Sequence, residues 1–118
     1  MIKLFDSELK VMDILWSEGI VPAKTVAERL SESVGWNKNT TYTLIKRCIG
    51  KGAIERSEQN FMCMALITRE EVQQAETDEL VEKLFDGSDE LLFASLLSKK
   101  RFTAEQIDKL RKMVEELK

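Results

Sequence analysis

Apolar residues in the first third of the chain recur at intervals of three and four positions, the spacing of one face of an α-helix. Two helices are predicted from this pattern. Asp6 is placed to cap the first and Gly19 to end it, and Pro22 fits the first turn of the second because no backbone N–H is needed there. The predicted inner faces hold Leu9, Met12, Leu15 and Trp16 in the first helix, and Val26, Ala27 and Leu30 in the second.

A third helix is predicted between Asn37, a favourable N-cap residue, and Gly52, which suits its C-terminal end. Its core-facing stripe would be Thr41, Leu44, Ile45 and Cys48, and its opposite face would carry Asn39, Tyr42, Thr43 and Lys46. No carboxylate occurs between Asn37 and Gly52. A face built only for solvation usually mixes Glu with Lys, whereas amide, hydroxyl and ammonium groups without acid suit base edges and phosphates. The pattern favours a nucleic-acid contact over a merely solvated face.

Two short runs after the third helix, Ala53–Ser57 and Phe61–Ile67, flank a polar turn at Glu58–Asn60 and predict a β-hairpin. Three helices followed by a hairpin indicate a winged helix. The second run is apolar on both faces of the strand. This favours a core strand partly covered by the following helix over an exposed wing.

The remaining residues predict three helices with many apolar side chains, which a second copy of the chain would cover. Thr68–Glu71 and Thr103–Gln106 have the form of capping boxes, and Gly87 and Ser88 separate the first helix from the second. We expect a mainly α fold with a small β-hairpin, in which a winged helix-turn-helix domain (1–67) is followed by a three-helix dimerisation region (68–118). A bundle folded back on the first half is the alternative. The predicted dimer contacts are Leu80, Leu84, Phe85, Leu92, Leu96, Ile107, Leu110, Val114 and Leu117.

Charge differs between the two parts of the chain. Residues 1–67 carry nine basic and eight acidic side chains (net +1), whereas 68–118 carry nine and thirteen (net −4). Within residues 37–56, five basic side chains oppose one acidic side chain, Glu55, a local charge of +4. We expect these basic residues to attract a polyanion: Lys38, Lys46, Arg47, Lys51 and Arg56.

Several classes of function are excluded by composition. The chain has no histidine, which removes imidazole catalysis and histidine-ligated zinc, and it shows no nucleophile–base pair or phosphate loop. Cys48 and Cys63 lie in apolar runs without C-x-x-C spacing and are predicted to be reduced core residues. No metal or cofactor is expected. No apolar run is long enough to span a bilayer, and the first residues do not form a signal peptide, so the expected location is the cytoplasm.

The chain resembles the penicillinase repressor and methicillin-resistance repressor family of bacterial transcriptional regulators over nearly its whole length. Three stretches carry the resemblance. They are Asp6–Trp16 (DSELKVMDILW), Trp36–Arg47 (WNKNTTYTLIKR) and Lys51–Ile54 (KGAI). The resemblance implies a homodimer that represses transcription by occupying a palindromic operator. By position it implies that Thr40, Thr43, Lys46 and Arg47 contact DNA. With the residues inferred above, the predicted DNA contacts are Lys38, Asn39, Thr40, Tyr42, Thr43, Lys46, Arg47, Lys51 and Arg56.

The chain also departs from this family. The wing turn is Gln59-Asn60 where members commonly have Gly-Arg, and Ser95-Leu96 stands where the antibiotic-responsive members have a cleavable Asn-Phe bond. A wing-tip arginine contact and an inducing protease acting at that bond are therefore not implied. No cysteine follows Cys63, which excludes the copper-sensing clusters of other relatives.

The leading hypothesis is a sequence-specific repressor whose partners are double-stranded operator DNA and a second copy of itself. The alternative is a winged-helix protein–protein interaction module, in which the methionine-rich strand and the leucine-rich helices bind another protein and the basic patch is incidental. An enzyme is the least favoured class, because the acidic residues are spread over helix surfaces where solvation explains them.

Overall fold

The computed structural model describes residues 2–99 and 101–118, which form six helices and three short strands. The chain divides into two compact units, the first ending at Ala75 and the second spanning Glu76–Lys118. The first unit thus extends past the predicted boundary at residue 67, because Val72 packs against its core. The elements are α1 (Asp6–Glu18), β1 (Val21–Pro22), α2 (Ala23–Val34), α3 (Lys38–Gly50), β2 (Ile54–Arg56), β3 (Met62–Ala65), α4 (Arg69–Leu84), α5 (Asp89–Ser98) and α6 (Ala104–Glu116).

Helices α1, α2 and α3 pack around one apolar core, as the periodicity predicted. The predicted inner faces of α2 and α3 are buried as expected, and Cys63 of β3 is buried among the same cluster. Both cysteines are reduced and buried, which confirms their assignment as core residues. Burial raises the pKa of the Cys48 thiol to about 11 and also raises that of Cys63, so both stay protonated near neutral pH.

The inner face of α1 differs from its prediction. Glu8 and Val11 are buried together with Met12 and Leu15, whereas Leu9 and Trp16 are only partly buried. The helix begins at Asp6 rather than after it, and Phe5 occupies the N-cap position. Asp6 is therefore not the cap. Instead, the Glu8 side chain accepts a hydrogen bond from Phe5 N at 2.7 Å, which satisfies that backbone donor.

The hairpin is part of a three-stranded antiparallel sheet in the order β1–β3–β2. The hairpin strands are shorter than predicted, and the third strand, β1, was not predicted: Val21 pairs with Cys63, and Pro22 with Met62. Pro22 therefore precedes α2 instead of forming its first turn. Proline is tolerated here because β1 is an edge strand. This pairing holds the start of α2 beside the hairpin.

The second unit contains the rest of α4 and both later helices. Thr103 and Gln106 form the predicted reciprocal capping box, and Ser88 caps α5 by accepting a hydrogen bond from Leu91 N. Neither α5 nor α6 contains a buried residue, although α5 is apolar from Leu91 to Leu97 apart from Ser95. Val81 of α4 is the one buried apolar residue among the described residues of this unit.

Candidate nucleic-acid interface

Helix α3 presents the polar face that was predicted to contact nucleic acid. The Asn37 side chain caps the helix by accepting a hydrogen bond from Asn39 N at 2.7 Å. The four residues of its inner stripe are buried, which fixes the rotation of α3 about its axis. The opposite side is consequently exposed and carries Lys38, Asn39, Thr40, Thr43, Lys46 and Arg47.

Two residues of the face predicted to contact nucleic acid, Thr43 and Tyr42, lie in different surroundings. Thr43 is exposed, and its hydroxyl donates to Asn39 O at 2.9 Å. The Oγ1 lone pairs thus remain free to accept from an amino group, such as those of adenine and cytosine in the major groove. Tyr42 is partly buried and lies on the side of α3 that faces the hairpin.

One depression runs beside the N-terminal half of α3. It combines Ser7 of α1 and Trp36 of the preceding loop with polar residues of α3, including Arg47. Hydroxyl, amide and guanidinium groups surround an indole ring, and no carboxylate lines the depression. Its remaining lining residues are Asn37, Asn39, Thr40, Thr43 and Leu44.

A second depression, of about 380 Å³, lies on the other side of α3. Three cationic side chains line it, Lys24 of α2, Lys46 of α3 and Arg56 of β2, again without a carboxylate. The Arg56 guanidinium lies 5.2 Å from the centre of the Phe61 ring, close enough for a cation–π contact. The structure therefore brings Lys46 and Arg56 together as parts of one basic surface.

Lys24 and Phe61 belong to this surface but were not predicted as site residues. Lys24 could have been predicted from the sequence, because it lies in the first turn of α2, the helix preceding α3. The first helix of a helix-turn-helix crosses the DNA backbone. Phe61 could not have been predicted in this way, because the sequence pattern assigned it to an apolar strand. In the structure it lies in the turn with φ of +50°, next to Asn60 at +62°, and its side chain is 56% exposed.

Glu55 is the only acidic side chain of the basic stretch 37–56, and it lies on the opposite face of β2 from Arg56. Successive residues of a strand point to opposite sides, and Arg56 lines the second depression whereas Glu55 does not. Glu55 therefore does not line the depression that holds the three cationic side chains.

Lys51 has a different position from that predicted. Its Nζ lies 2.6 Å from the buried carboxylate of Glu8 and donates to Lys3 O at 2.8 Å. Burial alone would raise the pKa of Glu8, but hydrogen bonds from Lys51 and from Phe5 N, with the charges of Lys51 and Arg47, hold it below its ordinary value. Lys51 is therefore committed to an internal ion pair instead of projecting beside Lys46 and Arg47.

The residues predicted to form the dimer are largely exposed in the second unit. Leu84 is 68% exposed and Leu117 87%, and the α6 seam of Ile107, Leu110 and Val114 lacks a buried member. Phe85, Leu92 and Leu96 are partly buried, and Leu80 is exposed. Four more exposed apolar residues were not in the predicted set: Leu91, Phe93, Leu97 and Met113.

Other kinds of site were sought among residues 2–99 and 101–118. Within that range, acidic and cysteine side chains nowhere cluster in a group able to hold a metal ion. The described helices are each too short or too polar to cross a bilayer.

The fold and this basic face define a winged helix-turn-helix protein. The profile of the Penicillinase repressor family matches residues 4–116, which is nearly the whole chain. The chain belongs to the penicillinase repressor family, as its sequence motifs predicted.

Several known proteins are similar to this chain. The methicillin resistance regulatory protein MecI of Staphylococcus aureus is 24% identical over 114 residues, covering 95% of this chain and 93% of MecI. The penicillinase repressor of Bacillus licheniformis is 23% identical over 118 residues, covering 98% of this chain and 92% of that protein.

Two solved structures of the repressor BlaI resemble the winged-helix part. The DNA-binding domain in solution has a TM-score of 0.54 and 27% identity, covering 58% of this chain and 85% of the BlaI chain. Monomeric Bacillus licheniformis BlaI in complex with the blaP half-operator has a TM-score of 0.50 and 28% identity, covering 57% and 84%.

Proposed function

We propose that this chain is a sequence-specific DNA-binding transcriptional repressor. The observation that carries the proposal is the acid-free face of α3, flanked by cations from two other elements, Lys24 of α2 and Arg56 of β2. Duplex DNA carries a phosphate every few ångströms on either side of a groove, so a reading helix between two basic flanks fits it.

Within this proposal the residues have separate roles. Helix α3 enters the major groove, where Thr43 and Tyr42 approach base edges, while Lys46 and Arg47 bind phosphates. Lys24 and Arg56 hold the backbone beside the groove. We leave Lys51 out of the proposed phosphate-binding set, because its ammonium group pairs with Glu8 and donates to Lys3 O. The remaining polar contacts are Lys38, Asn39 and Thr40.

The active form is proposed to be a homodimer on a palindromic operator. Two observations support it: the half-operator bound by monomeric BlaI, and the exposed apolar residues of α5 and α6, which a second copy would cover. A twofold dimer places two α3 helices on half-sites related by the same symmetry. The proposed partner is double-stranded DNA, and the proposed role is that of a DNA-binding protein acting in the bacterial cytoplasm.

Selection of bound sequences from random duplex DNA tests this function. We expect an enriched palindrome whose half-site centres lie about 10 base pairs apart, or a multiple of that, on one face of the duplex. The selected duplex should bind in a salt-dependent manner, and the complex should contain two protomers by sedimentation. Enrichment of a single asymmetric site would contradict the dimer, and recovery of random sequence would contradict specific recognition.

A protein-interaction module remains the second candidate because of one observation. Met64 is 37% exposed and Leu66 48% exposed, so the end of the hairpin presents apolar side chains as well as basic ones. The same selection separates the two functions. Absence of both an enriched sequence and any salt-sensitive DNA binding would favour the protein-interaction module.

A further inference from the structure

The buried carboxylate of Glu8 connects three segments of the first unit. Its Oε1 accepts hydrogen bonds from Lys51 Nζ at 2.6 Å and from Phe5 N at 2.7 Å. Lys51 is the C-cap of α3, and its ammonium group also donates to Lys3 O and lies 4.3 Å from the centre of the Phe5 ring. The C-terminal end of α3 is thus tied to α1 and to the segment before α1.

Stability alone does not account for this arrangement. A buried ion pair loses hydration on both partners, and apolar residues of similar volume often stabilise a fold as well or better. The second oxygen, Oε2, is buried and has no hydrogen-bond partner among residues 2–99 and 101–118. An ion pair does, however, fix distance and direction more narrowly than an apolar contact does. A narrowly fixed position is useful next to a binding surface, because the binding side chains must be held within about 0.5 Å of the geometry that binds the ligand.

We propose that Glu8 is a positioning residue for DNA recognition: through Lys51 it fixes the C-terminal end of α3 and thereby sets the approach of Lys46 and Arg47 to DNA. Glu8 is fully buried and touches no DNA itself. The inference rests on the proposed DNA-binding function and adds to it a residue of α1, outside the basic face.

The direction in which Glu8→Gln changes operator affinity distinguishes this role from simple electrostatics. Glu8→Gln raises the net charge by one and weakens the hold on Lys51, and both changes increase the attraction of the protein for phosphates. A positioning role predicts the opposite for the operator. We expect operator affinity to fall about tenfold while affinity for scrambled duplex is unchanged or higher. Glu55→Gln is the matched control, because it makes the same charge change at an exposed carboxylate, and it should not weaken operator binding.

A second variant removes the ion pair without changing net charge. Glu8→Met combined with Lys51→Met replaces two charges with apolar side chains of suitable length. We expect its thermal unfolding temperature to equal or exceed that of the unaltered chain, because no buried charge is left unpaired. Its operator affinity should still fall about tenfold. Its salt slope should be unchanged, whereas Lys46→Met should lower the slope by about one per protomer.

The experiment uses the full chain, and the operator is the duplex that the unaltered chain selects from random DNA. Affinities for that duplex and for a scrambled one are measured at several salt concentrations. A folded Glu8→Gln variant that binds the operator as tightly as the unaltered chain, or more tightly, would overturn the positioning role. Unaltered operator affinity in the double methionine variant would overturn it too, even if Glu8→Gln does not fold. If the unaltered chain selects no sequence, the DNA-binding function itself fails and the positioning role falls with it.

Discussion

The indole Nε1 of Trp16 donates a hydrogen bond of 2.9 Å to the carbonyl oxygen of Ile67, which joins α1 to the chain just before α4. Arg69, at the start of α4, completes the contact. Its guanidinium lies 5.4 Å from the centre of the Trp16 ring and 3.6 Å from the carboxylate of Asp13. One aromatic side chain thus holds the first turn of α4 against the winged helix.

Trp16→Phe should lower the free energy of unfolding by about 1–2 kcal/mol, because it removes the hydrogen bond to Ile67 while keeping a ring beside Arg69. Urea unfolding at a fixed protomer concentration measures the change. Trp36→Phe is the control, since the Trp36 indole makes no hydrogen bond within the described residues. Equal destabilisation by the two substitutions would show that ring size, and not the Trp16–Ile67 bond, determines the effect.

Acid should remove the stabilisation that Glu8 provides. The folded-state pKa of Glu8 lies below its ordinary value of 4.5, so its contribution is complete above about pH 4.5 and is lost as the pH falls through the lowered value. The difference in unfolding free energy between the unaltered chain and Glu8→Gln should therefore be constant from neutral pH to about 4.5 and narrow below it. Urea titrations at several pH values measure this difference. A difference that stays constant into strong acid would contradict the ion-pair assignment.

Thr43→Ala and Arg47→Ala should weaken DNA binding in different ways. Loss of a base-reading hydroxyl should lower discrimination at one position of each half-site by about 1–3 kcal/mol and leave non-specific binding intact. Loss of the Arg47 guanidinium should weaken binding to all duplexes and reduce the salt slope by about one per protomer. Affinities for operator and scrambled DNA at several salt concentrations distinguish the two. If neither variant changes affinity or slope, α3 is not the reading helix.

Leu110→Asp should dissociate the proposed dimer. The substitution places a carboxylate in the middle of the α6 seam, where pairing with a second copy would desolvate it at a cost of several kcal/mol. Sedimentation gives the protomer number. Lys109→Asp introduces an aspartate one residue away, off the seam, and should leave the dimer intact. A dimeric Leu110→Asp variant would place the interface elsewhere.

Truncation after Ala75 should leave a folded monomer, because the first compact unit ends there. Operator affinity should drop by about 10²- to 10⁴-fold, as expected when two linked half-sites are reduced to one. A truncation after Ile67 is a useful comparison, since it also removes Val72 and should unfold at a lower temperature. Equal operator affinity for the full and truncated chains would count against dimeric recognition.

Helix α3 could be predicted from sequence because its information is local. Its apolar stripe, its cap Asn37 and its acid-free face all lie within one stretch. The structure buries the stripe and exposes the polar face as predicted, except that Tyr42 is partly buried. The caps Ser88 and Thr103 are local in the same sense. A pattern that repeats within a single helix turn or two needs no tertiary contact to interpret.

The features that were not predicted depend on residues far apart in the chain. Glu8 is buried and pairs with Lys51, which lies forty-three positions away. The pattern of α1 alone does not indicate this contact, and the pattern of α3 alone leaves Lys51 with the other basic residues. Strand β1 has two residues, too few for an alternating pattern, and exists because Val21 and Pro22 meet β3. Phe61 joins the basic surface through the backbone of the turn, which composition did not reveal.

Helices α5 and α6 contain no buried residue of their own, so in the proposed dimer their order depends on protomer concentration. If a second copy supplies the missing contacts, association and folding of this region are one equilibrium, and its melting temperature rises with protomer concentration. Dilution would then unfold the C-terminal helices and separate the two winged-helix domains in the same step. Under the proposed function, the rates at which a cell makes and degrades this chain then set the level of repression, with a threshold at the dissociation constant of the proposed dimer.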